Sequence, residues 1–383
     1  MNQPVGFQDS DKTLVCKLNK AIYGLKQAPR QWFERLKGTL HKLGFQVSKC
    51  DNSLFIHTSS TYKLYILVYV DDIIVTGSSP PHVKQVIIDL SHTFALKQLG
   101  PLDYFLEIEV KHRPNGSLFL SQTKYIKDLL DRANLSSAKS SFTPMASNCK
   151  LTKHGTNFFE DPTFFRSIVG ALQYATITRP DISYSVNKVC QFLEKPLVSH
   201  WTAVKRILKY LQGTQTLGLT INSADSASSN SKASSTIPFN YANSAPSKSK
   251  ASSTIPLIAF CNADWASDMD DRKSTFGACL YLGPNLVTCW SKKQHTISRS
   301  STEAKYRSLA LATQELMWIE SLLTELHISN TIPTIFCDNL STVAMSHNHV
   351  LHNRTKHIEL DLYFVRDKIQ NKTLTIQHIP SKF

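Results

Sequence analysis

At 383 residues and 43.1 kDa the chain is too long for one ordinary core and long enough for two or three. Hydrophobic residues supply 42% and charged residues 19%, an ordinary globular balance that excludes wholesale disorder. Forty-three Lys and Arg against 29 Asp and Glu leave a formal charge of +14, which favours a polyanionic partner such as nucleic acid.

The first element to emerge is helical. Between Pro29 and Phe45 the apolar positions Trp32, Phe33, Leu36, Leu40 and Leu43 follow helical spacing, and Gly44 supplies a stop signal. Residues 63–76 are β-branched and aromatic with two aspartates at the centre, which predicts two strands around a tight turn. Pro80 and Pro81 open a helix to about Phe94. A second hairpin is expected from Phe105 to Val110 and Leu118 to Leu120, turning at Pro114-Asn115-Gly116.

From Asp161 to Gly213 the pattern turns helical, with Pro180 and Pro196 where first-turn prolines are tolerated. Its last helix, 197–213, carries Val204, Ile207, Leu208 and Leu211 on one stripe. Trp201, Lys205 and Lys209 form another, which either tracks a phosphate backbone or is an ordinary solvated face. Residues 222–256 are rich in Ser, Ala, Asn and Lys and repeat SKASSTIP at 231–238 and 249–256. Two such units hold too little apolar surface to offset their ordering entropy, so this stretch reads as a linker. Beyond it come strands at 257–262, 276–282 and 286–290, a long helix to about Leu326, a strand at Thr334 to Cys337 and another helix, an order that suits an α/β domain.

The eight cysteines are scattered without a C-x-x-C pair, so neither a zinc site nor a disulfide framework is expected, and a reducing intracellular compartment fits. The most apolar run, 64–75, is short and holds two aspartates, and no charged segment leads into an apolar one at the start. Neither a membrane anchor nor a secretion signal is expected.

Two constellations carry chemistry. Asp71 and Asp72 sit inside an apolar hairpin, where adjacent carboxylates repel unless cations neutralise them. Magnesium suits such a pair, because it takes one or two carboxylates plus waters and phosphates. An acidic exposed turn is the competing reading. In the later domain, Ser300-Ser301-Thr302-Glu303 has the form of a capping box, which would direct Glu303 to the N-cap amide. Asp338 follows a strand end, where it either presents a ligand or caps the next helix. His347, His349, His352 and His357 lack an accompanying cysteine or carboxylate clamp and read as structural or solvated.

Tyr69-Val70-Asp71-Asp72 resembles the YVDD box of reverse transcriptases, and AIYGLKQAPRQW at 21–32 resembles a hallmark of copia-type retrotransposon Pol polyproteins. Gln3 to Phe7 is similar to the QPPGF element, and TRPDISYSVN at 178–187 belongs to the same resemblance. CNADWASDMDDRKSTFG at 261–277, SRSSTEAKY and FCDN resemble the hairpin, helix and later strand of a copia-type RNase H, in the same order.

The resemblance implies an α+β and α/β multidomain chain: a reverse transcriptase palm over 1–145, truncated at its front, and a helical thumb or connection region over 146–221. A Ser-rich linker over 222–256 and an RNase H-like domain over 257–383, truncated at its end, complete it. It implies Asp71 and Asp72 as polymerase metal ligands, Gln27, Lys26, Arg30 and Tyr69 near template and nucleotide, and Glu303, Asp338 and Asp264 at an RNase H centre. His357 is expected near the hybrid backbone.

The implied cofactor is Mg2+, two ions per site, with Mn2+ as an alternative. The implied partners are RNA template, DNA primer, RNA-DNA hybrid and deoxynucleotides, with no membrane, and a second copy or other Pol products as assembly partners. The implied location is cytoplasmic, in a virus-like particle, with access to the nucleus.

Four departures stand against that pattern. The upstream polymerase aspartate is not in this chain, Asn262 stands where the family has aspartate, the helix after the HIPSK-type segment is not in this chain, and Glu107 replaces a usual glycine. They keep open a second reading, a catalytically degenerate fragment that only binds nucleic acid.

Overall fold

A computed structural model of the protein describes residues 3, 5–11, 13–15, 17, 22, 24–147, 149–223, 254–348 and 358–380. The first repeat, residues 249–253 of the second and His357 lie outside the described residues. Two compact units form, Met1–Gly100 and Pro101–Phe383.

In the first unit, α1 (Ala28–Lys42) is followed by β1 (Gln46–Val47), β2 (Leu54–Thr58), β3 (Lys63–Tyr69), β4 (Asp72–Gly77) and α2 (Pro80–Thr93). The strands form an antiparallel sheet in the order β1-β2-β3-β4. Strand β3 alternates, burying Leu64, Ile66 and Val68, and these meet Leu36 and Leu40 of α1 and Val86 and Leu90 of α2 in one core. Helix α1 stops where Gly44 takes φ +85°, a conformation that costs glycine little and lets its carbonyl meet His57 Nδ1 at 3.1 Å.

The second unit begins with β5 (Tyr104–Phe105), β6 (Ile108–His112), β7 (Leu118–Ser121) and α3 (Thr123–Arg132). Helices α4 (Pro162–Ala175), α5 (Ser183–Cys190) and α6 (Val198–Gly213) follow, then β8 (Leu219–Ile221), which joins a sheet ordered β5-β6-β7-β8. Residues 101–145, expected within the palm, thus pack in this unit: Ile126, Leu129 and Leu130 of α3 share a core with Phe165, Leu172, Val186, Val204 and Leu208. Trp201 turns inward onto Phe159 and Phe164, at 5.0 and 5.4 Å between ring centroids, so it does not share the stripe of Lys205 and Lys209. Its aromatic surface is worth more against other rings than beside charges in water.

Residues 178–181 tie this helical region together. Arg179 is 1% exposed and donates to both Asp181 oxygens at 3.0 and 2.7 Å and to the Thr214 carbonyl and hydroxyl at 2.8 Å each. Tyr210 also donates to Asp181 at 2.8 Å. Burial pushes the Asp181 carboxyl up, but Arg179 and Tyr210 outweigh it and hold it below its ordinary value.

Strands β9 (Leu257–Asp264), β10 (Thr275–Leu282) and β11 (Asn285–Lys293) form an antiparallel meander, followed by α7 (Ser301–Glu325), β12 (Thr334–Cys337), α8 (Leu340–His347), α9 (Glu359–Gln370) and β13 (Thr375–His378). The sheet order is β11-β10-β9-β12-β13, with β12 parallel to both β9 and β13. This arrangement, three antiparallel strands and then two parallel ones reached through helices, is RNase H-like. Alternate β9 residues Leu257, Ala259 and Cys261 are buried against Leu309, Ala312 and Leu316 of α7.

Two observations differ from expectation. Cys279 and Cys289 are direct partners across β10 and β11 and are disulfide-bonded, a pairing their ten-residue separation did not reveal because it depends on strand register. Leu106 and Glu107 form the two-residue turn between β5 and β6, with φ +47° and +60°. Glu107 thus occupies a left-handed position that favours glycine, and its carboxylate accepts from the Tyr104 hydroxyl.

Candidate active sites

In the first unit, Tyr69 and Asp72 are register partners, so Val70 and Asp71 form a two-residue turn between β3 and β4. Val70 takes φ +52°, which is strained for a β-branched residue. Trp32 of α1 donates its indole N–H to the Val70 carbonyl at 3.1 Å, and its ring packs edge-on against Phe94 at 5.1 Å. That bond pins the turn to α1. Tyr69, Asp71 and Asp72 are exposed there, and Lys26, Gln27 and Arg30 are exposed at the start of the same helix. Among the described residues no ion pair takes up Asp71 or Asp72.

In the second unit, Cys261 and Cys337 are parallel register partners, so Asn262 of β9 and Asp338, just past the end of β12, stand side by side. With Asp264 they line a cavity of about 570 Å³ whose other walls include Phe260, Phe276, Trp290 and Tyr184. Glu303 is not among its lining residues. It lies 4% exposed at the start of α7, where its own amide donates to Ser300 Oγ at 3.2 Å and its carboxylate accepts from the Arg299 amide at 2.8 Å. The expected cap therefore forms, with the carboxylate reaching Arg299 rather than the N-cap amide. Arg307, one turn along, donates to Glu303 at 3.0 and 3.2 Å. Lys305 donates to both oxygens of Asp338, at 2.7 and 2.6 Å.

The two centres differ in how they suit a divalent ion. A magnesium ion completed by waters and phosphates needs only one or two carboxylates, and the exposed pair Asp71 and Asp72 fits that demand. Glu303 and Asp338 do not fit as they stand, because each carboxylate already has its own cation, Asn262 brings no charge and Glu303 lies outside the cavity. Among the described residues no three Asp, Glu, His or Cys side chains gather into a metal-binding group.

Residues 1–147 match the family "Reverse transcriptase (RNA-dependent DNA polymerase)". The chain is 44% identical to the retrovirus-related Pol polyprotein from transposon RE2 of Arabidopsis thaliana, over 99% of this chain and 24% of that one. It is 30% identical to the putative transposon Ty5-1 protein of Saccharomyces cerevisiae, over 82% of this chain and 94% of that one. The chain belongs to the copia-type retrotransposon Pol family. This Pol chain spans about a quarter of the length of the polyproteins it matches. A solved RNase H1 isolated from compost is 13% identical over 33% of the Pol chain and 86% of that chain, with a TM-score of 0.27. Strand order, not that superposition, identifies the RNase H-like half.

Three side chains bear on these centres that the sequence reading assigned to no site. Trp32 reads as an apolar helix position, and only the fold shows its N–H on the turn that carries Asp71. Arg307 stands at i+4 from Glu303 and was readable as a helical pair. Lys305 stands two residues from Glu303, a spacing that points it away from that carboxylate and toward a strand 33 residues later.

Proposed function

We propose that the chain is the part of a copia-type Pol polyprotein that carries nucleotidyl transfer in its first unit and engages RNA-DNA hybrid in its second. One observation carries the reading: a strained turn, held by Trp32, presents Asp71 and Asp72 to solvent, while Lys26, Gln27 and Arg30 are exposed at the start of the helix that carries Trp32. Reverse transcriptase and RNase H families use divalent metals. In this chain Asp71 and Asp72 would hold Mg2+ or Mn2+, and the cations at the start of α1 would meet phosphates of nucleotide or template. A bound ion would supply charge neutralisation on the transferred phosphoryl group. Trp32 contributes rigidity, which matters because small displacements of reacting groups cost large factors in rate.

A second reading, nucleic-acid binding without turnover in the RNase H-like half, is favoured by Asn262 and by the Lys305–Asp338 pair. Primer extension and RNA cleavage, followed together on a primed RNA template with Mg2+ and deoxynucleotides, separate the readings. Extension lost in Asp71→Asn and cleavage lost in Glu303→Gln support the first; hybrid binding without RNA cleavage supports the second.

A further inference from the structure

A groove of about 660 Å³ runs between the segment 139–149 and helix α6, wholly inside the second unit and separate from both carboxylate centres. Four of its lining side chains are cationic, Lys139, Lys205, Arg206 and Lys209, and none is acidic. Lys205 and Lys209 are one helical turn apart, and among the described residues neither is taken up by an ion pair. The opposite wall is held in place: the Ser141 amide donates to the Lys209 carbonyl at 3.1 Å and Arg206 to the Thr143 hydroxyl at 2.7 Å. Gly213 makes this approach possible, since a Cβ there would meet the Ser140 Cβ at 2.8 Å. On that wall Phe142 is fully exposed, an expensive way to leave a large ring unless something stacks on it.

Cations spaced along a groove plus one free aromatic face are the two features that bind single-stranded nucleic acid without regard to sequence, the cations taking phosphates and the ring a base. A paired base has no free face to offer Phe142, and a groove of this volume is the size that takes one or two nucleotide-sized groups. We propose that this groove is a binding site for a single strand, with phosphates on Lys139, Lys205 and Lys209 and an unpaired base on Phe142. It would retain a template or displaced strand whatever the two carboxylate centres do.

The test uses the full chain and fluorescence anisotropy with a labelled oligothymidylate and a duplex of equal length, each across a salt series. A Lys205→Gln, Lys209→Gln variant should weaken the single strand by roughly tenfold or more and lower the magnitude of its log–log salt slope by about 1.4, two phosphate contacts at about 0.7 each. Phe142→Ala should weaken the single strand by roughly tenfold, leave the salt slope unchanged and leave the duplex unchanged. Circular dichroism melting confirms that each variant folds. Single-strand affinity and slope unchanged in the lysine variant would overturn the proposal, as would equal loss of single strand and duplex in Phe142→Ala. Asp71→Asn and Glu303→Gln should leave this binding intact, so failure of the catalytic reading and failure of this one give different results.

Discussion

Removing Lys305 should open the RNase H-like centre to divalent ions. Its ammonium lies 2.7 and 2.6 Å from the two Asp338 oxygens, and the two side chains are 14% and 19% exposed, so water screens the pair poorly. An ion arriving at Asp338 must first displace that ammonium, and a hydrogen bond to a charged group contributes about 1.5–3 kcal/mol. Lys305→Ala should therefore tighten divalent binding by about 10–150-fold, at about 1.4 kcal/mol per tenfold. The assay is Mn2+ titration read by electron paramagnetic resonance of the free ion, in an Asp71→Asn, Asp72→Asn background so that only the second unit reports. Adding Asp338→Asn should abolish the gain. A correctly folded Lys305→Ala chain whose Mn2+ Kd stays within about twofold of its parent would refute the argument that Lys305 competes for Asp338.

Other expectations follow from the same geometry. Arg179→Met should destabilise the second unit by about 1–3 kcal/mol in urea unfolding, because it removes the bonds to the Thr214 carbonyl and to Asp181, whose carboxylate stays partly solvated. Since the Asp181 carboxyl is held below its ordinary 3.8, the stability it contributes is present above that value and is lost as pH falls through the folded-state value. Urea midpoints taken from pH 7 down to pH 3 should fall less steeply in Asp181→Asn than in the parent. Glu107→Gly should raise the melting temperature, relieving a left-handed non-glycine residue worth about 1–2 kcal/mol. The same change should lower the titration midpoint of Tyr104, whose hydroxyl is pushed up to about 12 chiefly by its bond to Glu107. Trp32→Phe keeps the ring but loses the bond to the Val70 carbonyl, so primer extension should slow while thermal stability changes by no more than about 1 kcal/mol. Equal stability with unchanged extension would show that the turn needs no such anchor.

Much of this protein was legible along the chain. Helix α1, the hairpin around Asp71 and Asp72, helix α2 and the strand–helix order of the last domain follow from local periodicity and turn chemistry. Each depends on residues within a few positions of one another. The capping role of Ser300 was readable for the same reason. The family could be named from short motifs read in their order along the chain.

Tertiary structure alone decided which side chains far apart in the chain meet. Lys305 reaches Asp338 because α7 and β12 pack together, and Trp201 leaves the lysine stripe because its ring finds Phe159 and Phe164. Cys279 meets Cys289 through strand register, and Phe142 stands at the edge of a basic groove because 139–149 crosses α6 at Gly213. Local preference sets where an element starts and stops. Long-range packing sets which side chains share a site, and electrostatic neutralisation, falling off steeply with distance, belongs to that second kind of information.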